Sequence, residues 1–319
     1  MAEFHYFQLW TSPLVTVVSS GKDELWPAVV YSAQIAAGGE AHVFVVPYQP
    51  LERHLVRIAE AVARAREKFP GVHFTILAND KGDEQLARTH GFDAFECNQN
   101  CFLDERLIYP DPNVPKLFDA VHVGRFNAGK RHELAAQTSR VAIVSADFEF
   151  DRTYAAKTLA AMQDLAYCNY NPKSGKLRWL NIEEVRRILV QSCCGLALSA
   201  EEGAMYASSE YLLAGIPVVT TRSKGGRDAF FHLDYVTTVE DDPAAVAAAV
   251  RDFKERALDP FMVRNRTIAM FRDHRRRMIE RLSAITGHDL MRLADGALWL
   301  PQFKHQMRAR IKVNLPGAA

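Results

Sequence analysis

Short apolar runs alternate with helical segments along most of the chain, and this alternation limits the fold more than any other feature. LVTVVSS (14–20), AHVFVVPY (41–48), VHFTILAND (72–80) and DAFECNQN (93–100) read as strands. ELWPAVVYSAQIAAGG (24–39) reads as a helix closed by glycine. LERHLVRIAEAVARAREKF reads as a second helix, with Leu55, Ile58, Ala59 and Val62 at helical spacing, and a short third lies near 83–90. A second series begins with DAVHVGR (119–125), a helix near 130–139 and RVAIVSAD (140–147). It continues with helices around 153–164 and 182–192, GLALSA (195–200), a helix at 204–214 and IPVVTT (216–221), and closes with YVTTV (235–239) and an alanine-rich helix at 243–256. Strand and helix in turn, joined by short connections, imply parallel sheets covered on both faces. YPDPNVP (109–115) carries three prolines in seven residues and marks a boundary. The expected fold is α/β, with two Rossmann-like lobes at 1–115 and 116–284 and a cleft between them. A basic, amphipathic C-terminal segment, 285–319, is expected to pack back on the N-terminal lobe.

The chain's 319 residues suit two lobes of ordinary size. A formal net charge of +1 argues against a dedicated nucleic-acid binder, which carries a clear basic excess. MAEFHYFQLW lacks the basic and long apolar regions of a signal peptide, and no run of eighteen apolar residues occurs, so a cytoplasmic protein is expected. Five cysteines, two of them adjacent at Cys193 and Cys194, do not form a disulfide framework. Cys97 and Cys101 lack a second Cys/His pair at finger spacing, so buried thiols are the expectation and no metal set is assigned. From Arg264 to Arg281 the chain holds seven arginines and His274 against Asp273 and Glu280. Ile268, Phe271, Met278, Leu282 and Ile285 form an apolar face there. Either the helix packs on the body with its charged face in water, or the charge attracts an anionic membrane surface or an acidic acceptor.

VGRFNAGKRHE (121–131) copies seven positions of the triphosphate loop G-x-x-x-x-G-K-[ST]. The eighth should be a hydroxyl that holds Mg²⁺, and here it is Arg131, which carries donors only. An ATPase reading would cite Asp147 at the end of VAIVSAD as a second-motif aspartate. Read without a metal, Arg125 and Lys130 are two permanent cations at the end of a strand, able to neutralise a diphosphate.

SAEEGAMYASSEYLLAGIPVVTTRSKGGRD (199–228) supplies the complement. Glu202 and Glu210 have seven residues between them, with Gly203 opening a helix after a strand. On that reading the N–H groups of Gly203, Ala204 and Met205 form an anion site. Eight residues of helical rise would set the two carboxylates roughly 12 Å apart along the axis, which spans a diphosphate from hexose to ribose.

EEGAMYASSEYLLAGIPVV resembles the E-x7-E region of retaining GT-B glycosyltransferases, particularly family 4. VGRFNAGK resembles their Arg/Lys diphosphate turn, and NQNCFLDERLIYP (98–110) is similar to their interlobe segment. The three pieces keep the family's order over roughly residues 98–256. The resemblance implies a nucleotide-diphosphate sugar held by the second lobe as substrate, with no cofactor. Arg125 and Lys130 would grip the diphosphate, Glu202 the donor sugar and Glu210 the ribose. Ser20 and Gly21, at the turn where the family has paired glycines, would approach the phosphates. The first lobe would hold the acceptor, a glycan, a lipid-linked glycan or a small molecule. In such chemistry the departing diphosphate takes the acceptor's proton and no metal is required. Two other readings stay open: a non-catalytic nucleotide-sugar or partner-binding protein, and a P-loop phosphotransferase.

Overall fold

The computed structural model describes residues 2–20, 39–145, 151–162, 164–171, 173–291 and 309–313. All of the expected helix at 24–39 except Gly39, together with Gly21, Asp147 and most of the segment 285–319, lies outside these residues. The chain divides into two compact units, residues 1–104 with 271–319 and residues 105–270. The sequence reading divides it at 115/116 and 284/285 instead.

The first unit is built on a six-stranded sheet in the order β14-β1-β2-β3-β4-β5. Its members are β1 (Ala2–Thr11), β2 (Leu14–Ser20), β3 (Ala41–Pro47), β4 (Val72–Ala78), β5 (Asp93–Glu96) and β14 (Ala309–Val313). Strands β2 to β5 pair in parallel, as expected. At the edge β1 pairs antiparallel with both β2 and β14, so the sheet is mixed rather than wholly parallel. Helix α1 (Leu55–Lys68) buries Leu55, Ile58, Val62 and Ala65 with Val43, Val45, Phe74 and Ile76 of the sheet. Helix α2 (Lys81–Thr89) starts where Asp80 accepts the Asp83 N–H at 2.8 Å.

The second unit carries an all-parallel sheet in the order β13-β12-β11-β6-β7-β8. The chain enters at its middle with β6 (Phe118–Val123) and moves outward through β7 (Val141–Val144) and β8 (Leu165–Tyr167). It passes α3 (Arg152–Ala161), a small hairpin of β9 (Tyr170–Asn171) and β10 (Lys176–Leu177), and α4 (Ile182–Val190). It then re-enters beside β6 as β11 (Ser192–Ala197) and moves outward the other way. Helix α5 (Tyr206–Leu213), β12 (Val218–Thr221), β13 (Val236–Val239) and α6 (Pro243–Arg256) complete the sheet and its cover. Val141, Ile143, Leu196 and Val219 meet Val246, Val250 and Phe253 of α6 in the core.

Two expectations fail here. The helix expected near 130–139 is a pair of 3₁₀ turns, Ala128–Lys130 and His132–Ala135. Arg131 between them is left-handed, with φ 51°, which no α-helix accommodates. Helix α5 begins at Tyr206, and its N-cap Met205 is also left-handed, with φ 43°. Helix α7 (Pro260–Thr286) is the last long element among the described residues.

Candidate functional site

In an open parallel sheet, ligands bind outside the carboxyl ends of the strands, where the strand order reverses. In the second unit that point lies between β6 and β11. The loops leaving these two strands carry the residues singled out in the sequence. Lys130, in the turn after β6, forms an ion pair with Glu202, which follows β11. Their side chains are only 10% and 13% exposed, so the pair is largely withdrawn from water. Glu202 also accepts the Ser199 hydroxyl at 2.7 Å. Its main chain is fixed by a bond from its N–H to the Lys224 carbonyl at 3.0 Å.

The Lys130 side chain runs past Gly124. A Cβ there would stand 3.5 Å from Lys130 Cδ and 3.8 Å from His122 Nε2, so the lysine stem crosses directly over the glycine and an imidazole. Beneath lies a buried aromatic stack. The rings of His122 and His132 are 4.1 Å apart at 22°, and those of His132 and Phe126 are 4.2 Å apart at 3°. Burial, with Lys130 adding repulsion, pushes the His122 pKa down to about 3. His132 is held well below its ordinary value by burial, then by His122 and Lys130. Both imidazoles are therefore neutral under a lysine whose partner is Glu202. Arg125, directly after Gly124, is half-buried.

Arg131 has a different task from the hydroxyl whose place it takes. Its Nε donates to the Leu198 carbonyl at 2.5 Å, and its guanidinium bonds Thr221 and pairs with Asp241 at 2.6 Å. It ties the turn after β6 to the ends of β11 and β12. A triphosphate loop runs from its strand into an α-helix whose amino end holds the phosphates; here 3₁₀ turns take that place.

The Glu202–Glu210 stretch also departs from expectation. Glu202, Gly203 and Ala204 precede α5, so the rise of a helix does not set the spacing of the two carboxylates. The amides of Gly203, Ala204 and Met205 belong to a turn ahead of the helix rather than to its first turn. Ala204 and Met205 are buried there. Glu210 lies inside α5 and is 5% exposed. In the first unit, Ser20 is the last residue of β2, and Gly21 lies outside the described residues.

Sequence reasoning missed three supports. Arg227 is 1% exposed and donates to the carbonyls of Ala197 at 2.9 Å, Ser199 at 2.6 Å and Thr221, while its Nε meets Asp228 at 2.7 Å. A buried guanidinium satisfied in this way locks the strand ends under Glu202. Tyr211, from α5, accepts the Val123 N–H at 2.7 Å, at the last residue of β6 before Gly124. It reaches there because Gly195 has no side chain; a Cβ would lie 2.2 Å from the Tyr211 ring. His122 is the third, and a lone histidine within the apolar run DAVHV was the available signal.

No family model matches the sequence, and no curated protein matches it. Solved structures do. Anabaena HepE in complex with UDP aligns with a TM-score of 0.58 at 13% identity, over 84% of this chain and 78% of that one. Sucrose-phosphate synthase from Thermosynechococcus elongatus gives 0.58 at 14%, over 85% and 74%. The pneumococcal O-GlcNAc transferase GtfA in complex with UDP and GlcNAc gives 0.50 at 13%, over 86% and 57%. Identities this low speak for architecture. The chain has the α/β fold of GT-B glycosyltransferases, with two Rossmann-like lobes.

Proposed function

We propose that the chain is a glycosyltransferase that moves a sugar from a nucleoside-diphosphate sugar to a glycan, lipid-linked glycan or small-molecule acceptor, with retention and without a metal. The observation that carries this reading is the meeting of Lys130 and Glu202 at the strand-order reversal of the second unit. A sugar diphosphate joins an anionic group directly to a hydroxyl-rich ring. A lysine and a carboxylate side by side suit those two halves. The binding of UDP by HepE and by GtfA, which share the fold, agrees with such a donor.

In this reading Lys130 leaves Glu202 for the diphosphate when the donor binds, with Arg125 as the second cation. Glu202 then accepts hydroxyls of the sugar, and Glu210 those of the ribose. The Gly203–Met205 turn belongs to the same reading, as do Ser20 and Gly21. The anomeric C–O bond to the diphosphate breaks as the acceptor oxygen bonds to the same carbon. The acceptor's hydroxyl proton passes to the departing phosphate oxygen. The protein's contribution is fixed positive charge facing an oxygen that becomes negative. Weak, salt-sensitive contact of the basic C-terminal segment with an anionic membrane belongs to the same proposal.

The test pairs thermal-shift screening of nucleoside diphosphates and their sugars with an assay of sugar transfer. Lys130→Ala and Arg125→Ala should each lower turnover by about a hundredfold, near 3 kcal/mol of transition-state stabilisation. Glu210→Ala should act mainly through KM. EDTA should leave transfer intact. Donor binding without turnover on any acceptor would favour a non-catalytic nucleotide-sugar binder, and Mg²⁺-dependent ATP hydrolysis a phosphotransferase.

A further inference from the structure

At the amino end of the first unit's sheet, three metal-binding side chains converge that the donor chemistry does not use. His42 and His73 are the second residues of β3 and β4, and the parallel pairing sets them directly opposite one another. Each is the one member of its strand that is not buried. Glu40 precedes His42 by two residues, so the pleat turns both to one face. The outcome is a compact triangle. The imidazoles stack with centroids 4.8 Å apart at 22°, and His73 Nε2 lies 3.3 Å from Glu40 Oε1. One ligand atom from each of the three residues fits within 4.8 Å of the others.

We infer that Glu40, His42 and His73 form a binding site for a divalent transition-metal ion, with Zn²⁺ the best match. Two imidazole nitrogens and one carboxylate oxygen are borderline ligands that favour Zn²⁺ over Mg²⁺ or Ca²⁺. At ordinary Zn–N and Zn–O lengths, two ligand atoms on a tetrahedral ion stand about 3.3 Å apart. The His73–Glu40 pair already has that spacing, and the His42 ring closes the triangle by side-chain rotation. A water completes the fourth position, since the side chains of Glu40 and His73 stand largely in solvent. The positive charge of Arg281 reaches His42, but Arg281 is itself paired with Asp93, which moderates its repulsion of a cation. Both strands are anchored in a buried sheet, so the backbone positions of the two histidines are fixed whether or not metal is bound. Parallel sheets place their substrate sites at the carboxyl ends of the strands, and this cluster lies at the amino ends of β3 and β4. The ion therefore takes no part in sugar transfer, and its role is to clamp β3 to β4.

The experiment is calorimetric titration of the full-length, chelator-treated protein with Zn²⁺, and with Co²⁺ as a spectroscopic probe. With eleven histidines in the chain, the variants carry the assignment. His42→Ala, His73→Ala and Glu40→Gln change side chains outside the core, and circular dichroism verifies that each folds. The expected result is one equivalent of Zn²⁺ bound by the parent protein. Each variant should weaken it by more than the roughly tenfold loss that even outer-shell partners cause. Bound Co²⁺ should show the intense visible bands of a tetrahedral site. Absence of binding, or equal binding by the parent and all three variants, overturns the inference.

Discussion

A single buried imidazole shows how much of this site's chemistry is set by its surroundings. His122 has an unfolded-state pKa near 6.5 and a folded value of about 3. Between those values the unfolded chain binds a proton that the folded chain refuses. The fold therefore keeps its full stability above pH 6.5 and loses it as pH falls, by about 3 kcal/mol at pH 4 from this residue alone. His132 and His274, both lowered chiefly by burial, act in the same direction. Replacing His122 with leucine should remove up to one proton from the slope of stability against pH in this window. Denaturant unfolding at pH 7 and pH 5 measures it, and an unchanged slope would count against a neutral buried His122. Lys130 and Glu202 were legible from the sequence because charged residues at strand ends stand out. His122 and Arg227 were not, since their worth lies in burial, and a sequence shows residue type without showing what covers it.

At the scale of the element, the strands were easier to read than the helices. The runs of β3 and β4 are apolar apart from His42, His73 and Thr75, and a buried parallel strand needs little more. The connection from β6 to β7 misled because Ala, Leu and Lys residues favour a helix, while Arg131 is held left-handed by its bonds to Leu198, Thr221 and Asp241. Tertiary contacts outweighed local preference there. Strand β1 is not legible because its alternation is broken by the register shift between Gln8 and Trp10. Gly195 and Tyr211 form an element-level lock between β11, α5 and β6. Gly195→Ala should destabilise by about 1–3 kcal/mol through overpacking. Tyr211→Phe should cost a similar amount, about 1–3 kcal/mol, by leaving the Val123 N–H without its acceptor. A melting temperature unchanged in both variants would refute the lock. Arg131→Thr completes the triphosphate pattern on paper. It should lower stability and create no ATP hydrolysis, because no helix follows the loop.

For the whole molecule, the alternation of strand and helix gave the two-lobed class, while the limits of the units depended on contacts distant in sequence. Helix α7 illustrates the difference. Arg275, 3% exposed, donates to the carbonyls of Cys101 and Leu103, and the Asn98 N–H donates to His274 at 3.1 Å. Arg264 bonds the carbonyls of Glu105, Ile108 and Leu213, and Arg277 and Arg281 pair with Glu96 and Asp93. Charge that reads in sequence as an adhesive face is largely spent on the protein's own carbonyls and carboxylates. No helix among the described residues is long and apolar enough to cross a membrane. Hydrogen exchange should register a bound nucleoside diphosphate as slower exchange at 123–131 and 198–208, with β3 and β4 unaffected. Under the proposed function the Lys130–Glu202 pair has one more consequence, for competing anions. An unpaired buried lysine would attract inorganic phosphate. A lysine already held by a carboxylate offers such small ions little, and yields only to a ligand that also gives the carboxylate hydroxyls to bind. Glu202→Gln should therefore make inorganic phosphate a markedly better competitor of the donor, so that the glutamate works as a filter against the commonest anions.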